Sequence, residues 1–177
     1  MKKLKVVFLE DNRHDRHTLK TMLQDGTSYF EVYNYDTKII FDDQIRNVDC
    51  DVIILDIDLQ HSKGLPSDRY IPGTVVAEEI RSNIPELDHV PILITSAYWE
   101  TMIPETAAQF EARNMFRGIF AIGKDDWGLN GSNLIAKLCN IMTKWTSFIA
   151  CSSSQTRSLL SSRHLGFEFP IDRTLGA

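Results

Sequence analysis

The sequence predicts an α/β fold: a parallel, five-stranded sheet with helices on both faces. Three observations predict it. Short β-rich apolar runs recur five times along the chain, and each is followed by a longer segment whose apolar residues fall at helical spacing. Such alternation is the pattern of parallel strands joined by helical crossovers. Runs such as VVFL (Val6–Leu9) and VIIL (Val52–Leu55) are apolar without a break, as strands are when both faces are covered.

The elements follow in order. Lys5–Leu9 is the first strand. Asn12–Leu23 reads as a helix, with Leu19, Met22 and Leu23 on one stripe behind a polar start. Tyr29–Tyr35 (YFEVYNY) alternates and is rich in aromatics, hence a second strand. Ile39–Val48 is a short mixed segment read as a helix, and Val52–Leu55 is the third strand. Gln60–Pro72 holds two prolines and a glycine and reads as a long loop. Thr74–Ile84 is an amphipathic helix entered after Gly73, carrying Val75, Val76, Ala77 and Ile80. Pro91–Thr95 (PILIT) is the fourth strand and runs into Ser96; Glu105–Phe116 is the helix after it. Gly118–Ile122 (GIFAI) is the fifth strand, running into Gly123 and Lys124. Ser132–Trp145 closes the body as a helix, with Leu134, Leu138 and Ile141 on its stripe. Beyond Trp145 the pattern lapses into serine- and arginine-rich sequence. Residues 1–147 are therefore expected to form one domain. Residues 148–177 are expected to form a tail, with a short helix around Thr156–Ser162 or as the stub of an effector domain.

A chain of 177 residues suits one such domain with a substantial core. Hydrophobic residues at 43% and charged residues at 24% exclude whole-chain disorder and a membrane protein. The apolar runs are too short to span a bilayer. The basic start Met1-Lys2-Lys3 is no signal peptide, because the apolar run behind it is broken at Lys5 and Glu10. A net charge of −5 argues against nucleic-acid binding through the body of the domain. Cys50, Cys139 and Cys151 are odd in number, widely spaced and in no zinc pattern. They read as free thiols in a reducing compartment, so the expected location is cytoplasmic.

Sites in open parallel sheets form outside the carboxyl ends of the strands. Glu10-Asp11, Asp56, Ser96 and Lys124 each stand at such an end, so one rim of the sheet should gather them, with Asp58 two residues beyond Asp56. Carboxylates crowded together repel unless a cation or a proton sits among them. Oxygen donors of this kind suit Mg²⁺.

The set is an acidic pair after strand one, an Asp ending strand three, Ser96-Ala97 after strand four and a Lys after strand five. In this order it resembles the receiver domain of two-component response regulators of the chemotaxis-regulator type, over Lys3 to Trp145. The resemblance implies a doubly wound, flavodoxin-like sheet of order 2-1-3-4-5. It implies that Asp56 is the phosphoacceptor and forms an acyl phosphate. It further implies that Mg²⁺ is held by Glu10, Asp11, Asp56 and the backbone carbonyl of Asp58. Lys124 would pair with Asp56 at rest and with the phosphate afterwards. Ser96 would hydrogen-bond a phosphate oxygen, while Thr95 points to the other strand face. The implied donor is a sensor histidine kinase or a phosphotransfer protein. The implied role is a switch of protein contacts, not an enzyme beyond its own Mg-dependent phosphorylation and dephosphorylation. Output would run to an unknown protein through helix four, strand five and helix five, without DNA binding by this chain and without a membrane.

The sequence departs from that family in four places. Ala121 stands where an aromatic is usual, three positions before Lys124, and Asp125 stands where a proline is usual. The segments from Asp56 to Gly73 and from Ser96 to Lys124 are longer than usual. Because loops at the active rim commonly carry function, Leu59–Pro72 is expected to cover the site or to meet a partner.

Taken singly, each signal has a plainer reading. A strand-end acid is often a helix N-cap, Lys124 alone is a surface charge, and Asp51 and Asp58 are solvated strand flanks. His14 and His17 lie three apart on a helix with no third ligand in sight, so they read as exposed surface. Trp99, Trp127 and Trp145 read as packing residues. Two other functions fit parts of the pattern. In a haloacid-dehalogenase-like phosphatase, Asp56 would be the nucleophile and Asp58 the acid/base, which leaves Glu10-Asp11 unused. A pseudo-receiver would keep the fold and bind proteins without phosphotransfer.

Overall fold

The computed structural model describes residues 3–24, 29–59, 71–97, 99 and 106–164, with side chains throughout except at 71, 130 and 151–164. Its centre is one sheet of β1 (Leu4–Leu9), β2 (Phe30–Tyr35), β3 (Val52–Asp56), β4 (Ile92–Ser96) and β5 (Ile119–Gly123). The strands are parallel and lie in the spatial order β2-β1-β3-β4-β5. This is the expected doubly wound arrangement, with the change of direction between β1 and β3.

The unbroken apolar runs follow from strand alternation, since successive side chains reach opposite faces. Val7, Leu9, Ile53 and Leu55 pack toward α2 (Lys38–Gln44), α3 (Gly73–Asn83) and α4 (Ala107–Asn114). Val6, Phe8 and Ile54 pack toward α1 (Arg13–Gln24) and α5 (Ser132–His164). Each fully buried aliphatic or aromatic side chain contributes about 1.5–3 kcal/mol of transfer free energy, so both faces are needed to hold the sheet. The three tryptophans are buried, as packing residues should be.

Helix boundaries follow local chemistry. Thr37 caps α2, its hydroxyl accepting the Ile40 amide at 3.3 Å. The expected helix Ile39–Val48 divides into α2 and a 3₁₀ turn at Ile45–Asn47. Thr106 and Gln109 form a reciprocal capping box at the start of α4. α4 gives way to a 3₁₀ turn at Met115–Arg117, which closes on Gly118 at φ 68°.

One boundary differs from the sequence expectation. α5 does not end near Trp145 but continues unbroken to His164, a helix of 33 residues. Ser132–His164 contains neither glycine nor proline, so nothing in the chain forces a stop. Hydroxyls along it turn inward to the helix's own carbonyls: Thr143 donates to Cys139 at 2.9 Å, Thr146 to Met142 at 2.6 Å and Ser147 to Thr143 at 2.9 Å.

The amino end of the sheet is heavily tied. The half-buried Arg81 guanidinium donates to the carbonyls of Arg117, Leu87 and Val90 at 2.8, 2.8 and 2.7 Å and to Gly118 at 3.3 Å. Trp145 Nε1 donates to the His89 carbonyl at 2.8 Å, and the Phe148 ring stacks on the Trp145 ring at 5.2 Å. A Cβ on Gly118 would lie 2.6 Å from the Trp145 ring. Glycine is thus required there both for its positive φ and for space. Among the described residues no helix is long and apolar enough to cross a membrane.

Past Asp56, the pairs Asp58–Leu59 and Ile71–Pro72 form a two-residue antiparallel ribbon. Residues 60–70, and with them the cover expected from Leu59–Pro72, lie outside the described residues.

Candidate functional site

At the carboxyl end of β1, the Glu10 amide still donates to the Tyr35 carbonyl at 3.1 Å, which holds Glu10 as an extension of the strand. The chain then turns into α1 on side-chain bonds. Asn12 Oδ1 accepts the amides of His14 at 2.9 Å and Asp15 at 3.4 Å, the pattern of a helix N-cap. The Asn12 amide donates to Glu10 Oε1 at 3.1 Å. Arg16, one turn into the helix, donates Nη1 to the carbonyls of Glu10 at 2.8 Å and Asp11 at 3.3 Å. The acidic pair is therefore locked from both sides.

Asp56 is the last residue of β3 and lies in register with Thr95 of β4. Its exit is held by the Ile57 amide donating to the Thr95 carbonyl at 2.8 Å and the Gly73 amide donating to the Ile57 carbonyl at 3.0 Å. A Cβ at Gly73 would stand 2.0 Å from the Asp56 carbonyl oxygen. Only glycine allows α3 to start so close to the strand. Ser96 ends β4 opposite Gly123 of β5, one step beyond the row of Asp56 and Thr95, and Lys124 follows directly.

The side chains converge. Lys124 Nζ lies 2.7 Å from Glu10 Oε2, 2.7 Å from Asp15 Oδ2 and 3.1 Å from Asp56 Oδ1. Glu10 and Asp56 are only 2% and 4% exposed. One carboxylate oxygen from each of Glu10, Asp11 and Asp56 lies within 4.8 Å of the other two. Burial in this acidic surrounding favours neutral carboxyls. Burial, reinforced by the Asp56 charge, pushes Glu10 up to about 7. Burial likewise raises Asp56 to about 6, with Lys124 pulling the other way. Burial on its own lowers the Lys124 pKa, but the charges of Glu10 and Asp56 outweigh it and the net shift is upward. Lys124 is accordingly a fixed cation, and the carboxylates exceed what one ammonium balances.

That excess, together with oxygen-only donors on two buried residues and one half-buried one, fits a hard divalent cation. Glu10, Asp11 and Asp56 are the side chains that could hold Mg²⁺, and Asp58 follows Asp56 closely enough in the chain for its backbone to border the same place.

The residues expected at one rim are thus gathered there: Glu10, Asp11, Asp56 and Lys124 meet directly, and Ser96 is buried at the adjacent strand end. Asp51 does more than flank a strand, since its carboxylate accepts the Lys5 amide at 2.8 Å and fixes the start of β1. Asp58 is half-buried and paired in the ribbon with Pro72, not a freely solvated flank. His14 and His17 are exposed, as expected. Three contributors were not read from the sequence: Asp15 on Lys124, Arg16 on the acidic loop, and Gly73 against Asp56. Asn12 before Asp15 is the one local signal, and it announces a helix start rather than a site.

At the position where the family carries an aromatic, Ala121 is buried in the same cluster as an edge-to-face pair of Trp99 and Phe110, rings 5.5 Å apart. Phe120 turns to the other face, toward Trp145. Asp125 and Asp126 are exposed, and the ion pairs of Lys124 run instead to Glu10, Asp15 and Asp56.

No protein-family model matches the sequence, and no curated protein matches it. The likeness lies in three dimensions. The chain is similar to the chemotaxis response regulator CheY4 of Vibrio cholerae, at a TM-score of 0.57 and 18% identity, over 79% of this chain and 99% of that one. It is similar to a CheY-like response regulator receiver domain protein of Methanospirillum hungatei, at 0.57 and 15%, over 82% and 98%. It also matches NtrX of Brucella abortus, at 0.62 and 16%, over 88% of this chain but 30% of that one.

Proposed function

We propose that this chain, whose fold is that of response-regulator receiver domains, is a phosphoacceptor receiver. The observation that carries the reading is the Lys124 ammonium lying between Asp56 and Glu10, at 3.1 and 2.7 Å, beside a carboxylate trio fit for a divalent cation. A surface ion pair has no need of this burial, and a plain helix cap has no need of residues from three strands.

In this reading an Asp56 carboxylate oxygen attacks the phosphorus of a phosphohistidine on a sensor kinase or phosphotransfer protein. The new P–O bond forms as the P–N bond breaks, and the leaving imidazole nitrogen takes the electron pair and then a proton. The product is an acyl phosphate on Asp56. Mg²⁺, held by Glu10, Asp11, Asp56 and the Asp58 carbonyl, supplies charge neutralisation for the transferring group. Lys124 gives a mobile positive charge for the phosphoryl oxygens. Ser96, at the adjacent strand end, gives a hydroxyl. The chain turns over no external substrate in this reading.

Output runs through protein contacts. The support is at β5. An open groove of about 630 Å³ separates α4 from α5 above Ala121. Across it, Glu111 of α4 accepts the Ala121 amide at 3.0 Å and pairs with Lys137 of α5. A shift of β5 at the rim is therefore felt by both helices. The phosphatase reading gives Glu10 no part, although Glu10 is one of the nearest partners of Lys124.

Incubation with Mg²⁺ and a small phosphodonor such as acetyl phosphate tests the proposal. A base-labile, hydroxylamine-sensitive phosphoprotein is expected from the wild type and none from Asp56→Ala. Undiminished labelling of Asp56→Ala, or none of the wild type, overturns it. Mg²⁺ binding without any phosphoryl transfer would mark a pseudo-receiver, and turnover of a generic phosphate ester would mark a phosphatase.

A further inference from the structure

Three carboxylates compete for Lys124: its ammonium hydrogen-bonds Glu10 and Asp15, whereas Asp56 Oδ1, at 3.1 Å, is within ion-pair distance but receives no hydrogen bond. The three claimants are unequal. Glu10 and Asp56 are buried, belong to the carboxylate trio and cannot turn to water. Asp15 is the odd one: it sits in the first turn of α1, its side chain is 28% exposed, and it is not in the trio. Yet its contact of 2.7 Å is shorter than that of Asp56 at 3.1 Å.

An acid in the first turn of a helix is ordinary by itself, because it complements the helix dipole. That reading accounts for the residue type but not for where the carboxylate points. Asn12 already accepts the first free amides of α1, and the Asp15 carboxylate reaches the far end of β5 instead.

Resting on the receiver reading, we propose that Asp15 is a positioning residue that restrains Lys124 and yields it to the incoming phosphoryl group. A phosphoryl oxygen on Asp56 draws the ammonium fully to itself only if a carboxylate that now holds it, Glu10 or Asp15, gives way. Asp15 alone can do so by rotating into solvent without undoing the metal ligand set. Asp15 thereby competes with the phosphoryl group for the same cation. Removing its charge makes the lysine available earlier, and the competition of a partly exposed ion pair is worth about a three- to tenfold change.

The test compares wild type, Asp15→Asn and Asp15→Glu as full chains with Mg²⁺. Fluoroberyllate affinity and the rate of phosphorylation by acetyl phosphate are measured, with Mg²⁺ affinity and urea stability as controls. Asp15→Asn is expected to bind fluoroberyllate about three- to tenfold more tightly and to label faster, with Mg²⁺ affinity within about twofold of wild type. Asp15→Glu, which restores the charge, is expected to return toward wild type. If Asp15→Asn changes stability but neither affinity nor rate, Asp15 is only a helix-start acid and the proposal fails. If wild-type protein itself neither binds fluoroberyllate nor labels, the receiver reading fails instead.

Discussion

The two ends of the sheet handle buried charge in opposite ways. At the amino end, the Arg81 guanidinium is spent on backbone carbonyls beside Trp145 and Gly118. At the carboxyl end, Glu10, Asp11, Asp15 and Asp56 crowd one ammonium and leave negative charge in excess. The first end is electrostatically finished and holds the chain together. The second carries more carboxylates than its one ammonium balances, which is the condition a cation site needs.

Glycine substitutions break this contrast most severely. Gly73→Ala places a carbon 2.0 Å from the Asp56 carbonyl oxygen, and backbone meets backbone with no side chain able to yield. A loss of about 4 kcal/mol or more in urea unfolding is expected, with phosphorylation lost as well. Gly118→Ala meets only the Trp145 ring at 2.6 Å, on a residue of positive φ. It should cost about 1–3 kcal/mol and leave the folded fraction able to accept phosphate. Equal loss of phosphorylation in both would erase the distinction between the two ends.

Lys124→Met comes next. It leaves Glu10 and Asp56 buried without their cation, which should destabilise metal-free protein by about 3 kcal/mol. Saturating Mg²⁺ should recover part of that loss, because ligand binding to the folded state stabilises it. No recovery would mean that the trio does not take a divalent ion.

At the other end, Arg81→Met removes the side-chain donor from the carbonyls of Arg117, Leu87 and Val90 and should cost about 2 kcal/mol. Mg²⁺ should give this variant no more stabilisation than it gives wild type, and its phosphorylation rate should match wild type.

The last expected effect is a pH slope. Glu10 is raised from 4.5 to about 7 and Asp56 from 3.8 to about 6. The folded state therefore holds protons that the unfolded chain has released, and stability of metal-free protein should fall as pH rises from about 4 to 7. Urea midpoints across that range should show a shallower fall for Glu10→Gln, and the same slope in both would remove Glu10 as its source.

How much of this was legible in the sequence follows from the range of each interaction. Val6–Leu9 and Val52–Leu55 declare buried strands in four letters, and strand order follows from the crossover pattern and the resemblance together. Glu10, Asp11, Asp56, Ser96 and Lys124 were legible because each stands at the end of such a run, where fold geometry alone decides the meeting place. Asp15 and Arg16 were not, because they lie on a helix where an acid and a base look like dipole complements and solvated charge. Gly73 announced a helix entry but not a close approach, since the Asp56 carbonyl it touches is seventeen positions away and across a loop. The length of α5 was hidden because the apolar stripe lapses after Trp145 into serine- and arginine-rich sequence, although that stretch holds no glycine or proline to stop a helix.

That length has a mechanical consequence. At 1.5 Å per residue, the part of α5 past Trp145 reaches roughly 28 Å beyond the last tryptophan of the core. A tilt of about 5° at its root, within the reach of ordinary side-chain rearrangement in the groove beside Lys137, sweeps the distal end by about 2.5 Å. α5 thus has the proportions of a lever arm, in which a small change of angle beside the sheet becomes a displacement of ångströms at the far end.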